Sequence, residues 1–296
     1  MKNSPIKIID LFAGPGGLGE GFSAYKPQNV KTSVFKIALS VEKEESAWKT
    51  LRLRAFTRQF LNKGKLLPPE YYEYISGNYS SVNELLEKYP NERDAANREA
   101  RKFTLGEDDD NELDSLIASE VSETKPWVLI GGPPCQAYSL VGRAKNQSNK
   151  EYKPEEDHRN FLYEQYLRVI AKHQPSVFVM ENVKGILSAK VNGKNVFDKI
   201  ISDLQNPGEA TNIEGVKNYR IHSFVTDRIC LENKDTDFDP HEFVIKCEKY
   251  GIPQARHRVI LLGIRDDIKS SPEILESIQE QVSVEMVVGG LPKRRS

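Results

Sequence analysis

The 296-residue sequence has few cysteines and no long apolar run. Its three cysteines, Cys135, Cys230 and Cys247, show no C-x-x-C spacing, so they predict neither a disulfide framework nor a zinc cluster, and we expect no metal site. No run of about 18 apolar residues is present, and the apolar core at the N-terminus is too short for a signal peptide. We therefore expect a cytoplasmic protein that does not enter a membrane.

The chain also lacks an excess of charge of either sign. Lys and Arg number 42 against 43 Asp and Glu, which gives a net charge of −1. Any surface that binds nucleic acid must therefore be local. The hydrophobic share of 38% is typical of globular chains and excludes disorder throughout.

Short apolar runs of strand length alternate with helix-like segments. Most of the runs are apolar nearly throughout, as is typical of strands covered on both faces by helices. The predicted strands are 6–12, 35–41, 127–130, 176–180, 219–225 and 258–264, and the predicted helices are about 18–23, 44–60, 161–173, 195–204 and 240–249. The alternation predicts an α/β fold with a mostly parallel, doubly wound sheet. Arg220 and His222 interrupt the fifth run, which favours a place near the sheet's edge.

One long polar stretch, at about 52–125, departs from this alternation. It begins basic and turns acidic at Glu107–Asp110. We interpret it as a charged insertion at the edge of the sheet, with helices of its own. The domain prediction is accordingly one catalytic domain over 1–296 that carries this insertion.

A glycine-rich turn follows the first predicted strand. The segment Asp10–Gly19, D-L-F-A-G-P-G-G-L-G, leads from a strand into a helix. Glycines allow a ligand to approach the backbone, and the start of the helix offers free N–H groups. Glu42 ends the second strand, where an acidic side chain can accept hydrogen bonds from a ribose diol. Pro15 is awkward for a pyrophosphate, so adenosine without phosphates fits better than NAD; a tight turn without a ligand is the alternative.

A cysteine turn follows the predicted strand 127–130. In G-G-P-P-C-Q the two prolines stiffen the backbone before Cys135. Ligands of open α/β sheets bind at this edge of the strands. A thiol used as a nucleophile needs a setting that favours the thiolate. The alternative is a small buried side chain, which fits Cys230 and Cys247 better than Cys135.

Two further motifs place charged side chains at strand ends. Glu181 follows a buried strand in E-N-V, where it could pair with a ring nitrogen and an amino group or could cap the next turn. Arg256 and Arg258, in Q-A-R-H-R, point to one face if the chain is extended. Their alternative is a pair of solvated surface arginines.

In this order and spacing, D-L-F-A-G-P-G-G, V-E, G-G-P-P-C-Q, E-N-V and Q-A-R-H-R resemble the C5-cytosine DNA methyltransferases. The resemblance covers about 8–267 and implies a Rossmann-like methyltransferase fold and the cofactor S-adenosylmethionine. It implies that Cys135 is the nucleophile, that Glu181 binds the cytosine edge, and that Arg256 and Arg258 position the base and support the cysteine loop. The residues that it implies at the cofactor are Phe12, Ala13, Gly14, Gly16, Gly17, Glu42, Pro134 and Leu162.

The same resemblance implies the substrate and the reaction. The partner is double-stranded DNA with one cytosine flipped out of the stack, because the chemistry cannot reach a stacked base. Cys135 would add to C6, and C5 would then accept the methyl group. Arg143, Lys145 and Lys150 could contact phosphates, or could belong to a solvated loop. We expect a modification enzyme of a restriction system.

Two parts of the family pattern are not evident in this sequence. The acidic residue that contacts adenine is not identified, with Asp108, Asp109 and Asn78 as candidates. The target-recognition region and the last motifs are absent, so a second chain is an expected partner and the chain alone should bind S-adenosylmethionine weakly and methylate little. Alternative functions are a tRNA cytosine methyltransferase, a non-catalytic partner subunit, and a nicotinamide oxidoreductase that the glycine pattern disfavours.

Overall fold

The computed structural model describes residues 4–28, 30, 32–122, 125–134, 161–191, 193–227, 229–230 and 239–291. These residues form two compact units. The first unit contains the residues up to Pro133 together with Glu164–Phe178, and the second contains the remainder. Strand β5 begins in the first unit and ends in the second.

The first unit is built on four parallel strands. These are β1 (Ile6–Leu11), β2 (Phe35–Glu42), β3 (Ala100–Lys102) and β4 (Trp127–Gly131), in the order β3-β2-β1-β4. Side chains of the two central strands, including Ile8, Ile9, Leu39 and Val41, are almost fully buried. Burial on both faces explains why these strands are apolar throughout.

Helices connect and cover these strands. In the first unit they are α1 (Gly17–Ala24), α2 (Glu45–Leu61), α3 (Pro69–Ile75), α4 (Val82–Glu87), α5 (Pro90–Glu99), α6 (Asp110–Glu120) and most of α7 (Phe161–His173). The charged stretch 52–125 thus contains four complete helices and the edge strand β3. Apolar side chains of α2, α4 and α5 form one buried cluster, which includes Leu51, Phe56, Leu85 and Leu86.

The second unit contains the end of β5 (Val177–Val183) and six further strands. These are the short pair β6 (Lys190–Val191) and β7 (Lys194–Asn195), then β8 (Tyr219–His222), β9 (Ile229–Cys230), β10 (Val244–Lys246) and β11 (His257–Arg265). Strand β11 lies between β5 and β8 and pairs antiparallel with β8 and β10. The second unit also contains the helices α8 (Val196–Gln205), α9 (Pro207–Thr211) and α10 (Val284–Val288).

The predicted α/β class is confirmed, with one element that differs. Strand β8 lies one strand from the edge, next to β9, as Arg220 and His222 indicated. The helix predicted over 240–249 is wrong, because this segment consists of two 3-10 turns on either side of β10. The β-branched residues Val244 and Ile245 pair with β11, and this pairing overrides the helical pattern.

Gly131, at the end of β4, provides a test of how tightly the first unit packs. A Cβ atom there would lie 2.6 Å from the carbonyl oxygen of Leu11 and 2.9 Å from Cε2 of Tyr166. We predict that Gly131→Ala lowers the free energy of unfolding by about 1–3 kcal/mol, as measured by urea denaturation. At Gly21, on α1, a Cβ atom meets nothing within 4 Å. Gly21→Ala should therefore raise the free energy of unfolding by roughly 0.5–1 kcal/mol. Equal stability of the Gly131→Ala variant and the parent would contradict this packing.

Candidate active site

The glycine turn follows β1 in a backbone conformation that few residues adopt. Phe12, Gly14 and Gly16 have φ angles of 56°, 58° and 86°. Glycine adopts positive φ angles without strain, whereas a positive φ angle costs Phe12 conformational free energy. Such strain is concentrated at functional sites. Hydrogen bonds fix the turn, because Ala13 N donates to Val41 O at 3.1 Å and Gly16 N to Ala13 O at 2.9 Å.

Glu42 links this turn to the next helix. Its Oε2 accepts a hydrogen bond from Gly14 N, and its Oε1 accepts one from Glu44 N, each at 2.7 Å. An ionised carboxylate has about four lone-pair positions, so both oxygens can still accept a further hydrogen bond. A Cβ atom at Gly14 or Gly17 would meet nothing within 4 Å, so the space beside the turn is open. The turn and Glu42 therefore fit a ligand that carries a ribose diol.

Asp10, which we did not predict as a functional residue, lies buried below this turn. Only 1% of it is exposed, and its Oδ2 accepts no hydrogen bond from the described residues. Burial raises the pKa of Asp10 to about 8. The carboxylate of Glu42 also raises this pKa, whereas the guanidinium of Arg58 lowers it. The signal was present, since Asp10 is the one acidic residue in the apolar strand β1.

Asp108, one candidate for the adenine contact, is connected to the end of β2 through Thr104 and Phe103. Its Oδ2 accepts a hydrogen bond from Thr104 N at 2.6 Å, and the preceding Phe103 N donates to Glu42 O at 3.1 Å. Asp109 instead caps α6, with its Oδ1 accepting from Asn111 N. Asn78 follows α3, where its backbone N–H bonds to Glu73 O.

In the second unit the structure brings Glu181, Arg256 and Arg258 together. Oε1 of Glu181 lies 2.7 Å from Nε of Arg258 and 3.9 Å from Nη2 of Arg256. The first contact is an ion pair without hydrogen-bond geometry, since the Nε–H of Arg258 has no hydrogen-bond acceptor among the described residues. Nη1 of Arg258 is held by the carbonyl oxygen of His257 at 2.8 Å.

The structure excludes the capping role for Glu181, whereas Arg256, with its side chain 49% exposed, retains the character of a surface arginine. The 3-10 turn after β5 begins at Lys184, and its N-cap is Val183, with no side-chain cap. Glu181 therefore does not cap it. The two arginines flank one carboxylate, which leaves a local net charge of +1 beside the end of a buried strand.

The remaining predicted site residues are placed only in part. Pro134 and Leu162 are half-buried residues of the second unit. Cys135 lies outside the described residues, as do Arg143, Lys145 and Lys150. Within the described part of the chain no group of three or more His, Cys, Asp or Glu side chains could hold a metal ion. Among the described helices, none has the length and apolarity to cross a membrane.

The buried carboxyl of Asp10 predicts a dependence of stability on pH. With a pKa raised from 3.8 to about 8, the folded chain holds one more proton than the unfolded chain within that window, so stability falls as pH rises through it. Asp10→Asn removes this contribution, and the variant should gain stability relative to the parent between about pH 5 and about pH 8 in urea denaturation. Asp94→Asn, at an exposed carboxyl, is the control. A constant difference between Asp10→Asn and the parent at all pH values would contradict the assignment.

Comparison with known proteins identifies the family. The model of the C-5 cytosine-specific DNA methylase family matches residues 91–293. The chain is 33% identical to the type II methyltransferase M.Bpa9945I of Bacillus paralicheniformis, over 87% of this chain and 53% of that protein. It is 26% identical to the type II methyltransferase M.BspRI of Lysinibacillus sphaericus, over 98% of this chain and 53% of that protein.

A solved structure supports the fold. The crystal structure of a protein described as a DNA modification methyltransferase encoded within an E. coli prophage superposes with a TM-score of 0.55, at 20% identity, over 98% of this chain and 56% of that one. The chain spans about half the length of the curated relatives that it matches. Because the family model covers more than half of the sequence, the chain belongs to the C-5 cytosine-specific DNA methylase family.

Proposed function

We propose that this chain carries the catalytic part of an enzyme that transfers a methyl group from S-adenosylmethionine to C5 of cytosine in DNA. The main support is the arrangement at the end of β5, where Glu181 is flanked by Arg256 and Arg258. A glycine turn is shared by many nucleotide-binding proteins, whereas a carboxylate held between two guanidinium groups suits the polar edge of a pyrimidine. Membership of the C-5 cytosine methylase family agrees with this interpretation.

The glycine turn and Glu42 would hold the methyl donor. S-adenosylmethionine supplies an electrophilic methyl group on a sulfonium. Glu42, already fixed by Gly14 N and Glu44 N, would accept hydrogen bonds from the ribose diol, and half-buried Phe12 would contact adenine. We propose Asp108 as the acceptor for the adenine amino group. The other residues assigned to this site are Ala13, Gly16, Gly17, Pro134 and Leu162.

The cysteine would activate the base. Cytosine C5 is a poor nucleophile, and addition of the Cys135 thiolate to C6 moves electron density to C5, which then attacks the methyl group. A base afterwards removes the C5 proton, and the thiolate leaves. Glu181 would hydrogen-bond N3 and the amino group at C4, and Arg256 would bind O2. The local charge of +1 around Glu181 would stabilise the electron-rich ring.

Arg258 has a supporting role in this proposal. Its Nε lies against Glu181 and its Nη1 donates to the backbone at His257. The backbone hydrogen bond would fix the guanidinium, and its charge would attract the carboxylate, so that Arg258 would restrict the rotamer of Glu181. Because a small displacement of a catalytic group costs much of its effect, fixing Glu181 before the base arrives favours the reaction.

The names of the two relatives favour a role for this protein in DNA modification. Both are type II methyltransferases, and we propose that this enzyme likewise modifies double-stranded DNA in a restriction–modification system, in the cytoplasm of a prokaryote. The base would be flipped out of the duplex.

A further part of the active protein would read the DNA sequence. We propose that a target-recognition part, on the same or a second polypeptide, packs on an apolar stretch of the second unit, because exposed apolar patches mark interaction sites. The exposed large apolar residues of that stretch are Ile274, Leu275, Ile278, Val284, Met286, Val287, Val288 and Leu291.

Covalent trapping tests the proposed chemistry. DNA that contains 5-fluorocytosine retains the enzyme, because fluorine cannot leave as a proton after methyl transfer and the bond to C6 persists. With S-adenosylmethionine and any partner polypeptide supplied, the parent should form an adduct visible by mass spectrometry, and Cys135→Ala should form none. Cys247→Ala, at a free half-buried cysteine, should trap as the parent does. Equal trapping by Cys135→Ala would show that the nucleophile is misassigned.

A further inference from the structure

A buried ion network joins the helix after the glycine turn to the charged insertion. Arg58, on α2, is only 4% exposed. Its Nη1 donates to Glu20 in the first turn of α1, and its Nε donates to Oε1 of Glu99, the last residue of α5, at 2.9 Å. Nη2 of the same guanidinium also bonds to Glu99. One side chain thus links three helices.

Helix α2 packs directly on the glycine turn. A Cβ atom at Gly16 would lie 2.8 Å from Cδ1 of Leu51 and 3.4 Å from Cδ of Arg54, both on α2. Ala13, at the start of the turn, belongs to the buried cluster of Leu51 and Phe56. That cluster continues into the inserted helices α4 and α5. The inserted helices therefore form the packing behind the turn.

Several basic side chains around the start of the insertion form contacts with other residues of the first unit. Lys49 pairs with Glu45 at 3.3 Å and Lys63 pairs with Glu92 at 3.7 Å. Arg52 donates to Asn83 and lies over the ring of Trp48, with 5.3 Å to its centroid. These contacts give this run of cations partners within the first unit, and the side chains of Lys49 and Lys63 are each 56% exposed.

A network of this kind affects geometry more than net stability. Burying charges costs solvation free energy that their attraction offsets only in part, whereas removal of one partner leaves a buried charge uncompensated. The guanidinium of Arg58 therefore strongly favours the one arrangement of α1, α2 and α5 in which both carboxylates reach it. Since α1 starts at Gly17, that arrangement also fixes where the glycine turn ends.

We propose that the charged insertion serves to hold the methyl-donor turn in its binding conformation, with Arg58 as the positioning residue that acts through Glu20. The proposal rests on the proposed function in assigning the turn to the donor. It gives the insertion a role within the first unit. A contact of the insertion with DNA is the competing role.

The test compares three variants by hydrogen–deuterium exchange and by titration. Glu20→Gln weakens the link at a residue whose side chain is 31% exposed, so the variant should fold. Because Glu20 also interacts with the dipole of α1, Arg58→Lys is needed as well, since it keeps the charge of Glu20 but cannot reach both carboxylates. Asp114→Asn is the matched control: Asp114 is buried in the same unit and bonds Arg168, but lies on α6, away from the turn.

In the ligand-free chain, peptides covering residues 12–24 should exchange roughly tenfold faster in Glu20→Gln and Arg58→Lys, as expected for the loss of a charge-assisted hydrogen bond, but not in Asp114→Asn. The Kd for S-adenosylmethionine should rise by a similar factor in the first two variants. With any partner polypeptide supplied, the methylation rate at saturating donor and the Kd for DNA should stay unchanged.

Unchanged exchange of residues 12–24 in the two network variants would overturn the proposal, and so would an equal increase in Asp114→Asn. Faster exchange with unchanged donor affinity would also overturn it. Weaker DNA binding with unchanged donor affinity would favour the competing role. If the parent chain binds no S-adenosylmethionine, the proposed function fails, and the exchange rates still decide whether Arg58 holds the turn.

Discussion

The carboxylate of Glu42 accepts hydrogen bonds from Gly14 N and Glu44 N at the end of β2. These two bonds join the turn after β1 to the segment that leads into α2, at the point where two buried parallel strands end. A carboxylate placed there is fixed by the backbone on either side before any ligand arrives. Preorganisation of this kind lowers the free energy that binding must spend on ordering a site, and the proposed donor site depends on it.

The second unit likewise has a carboxylate near the end of an apolar strand. Strand β5, which ends in this unit, is apolar up to Met180 and then carries Glu181, whose negative charge lies beside two guanidinium groups. In each unit an apolar strand carries, at or near its end, a carboxylate whose position is restricted by its neighbours. The positive φ of Phe12 and the raised pKa of the buried Asp10 carboxyl are consistent with a site whose local conformation is maintained by surrounding packing.

Features that local sequence patterns encode were mostly predicted. Apolar runs located β1, β2, β4 and β11. Extended-chain alternation predicted that Arg256 and Arg258 share one face, and the structure places Glu181 close to both. Residues that depend on long-range contacts were missed. The partners of Arg58 lie 38 and 41 residues away, and the middle of the helix expected over 240–249 is instead the short strand β10, which pairs with β11. Neither effect has a signature in a short window of sequence.

The proposed donor site requires that Glu42 and the glycine turn are ready to bind an adenosyl group. Calorimetric titration of the chain with S-adenosylhomocysteine, which has the same ribose and adenine, measures this binding. We predict binding by the parent and a Kd at least roughly tenfold higher for Glu42→Gln, because one charge-assisted hydrogen bond to the diol is weakened and one backbone bond at the turn is lost. Equal affinity of the two proteins, or no binding by the parent, would contradict this role of Glu42 and the turn.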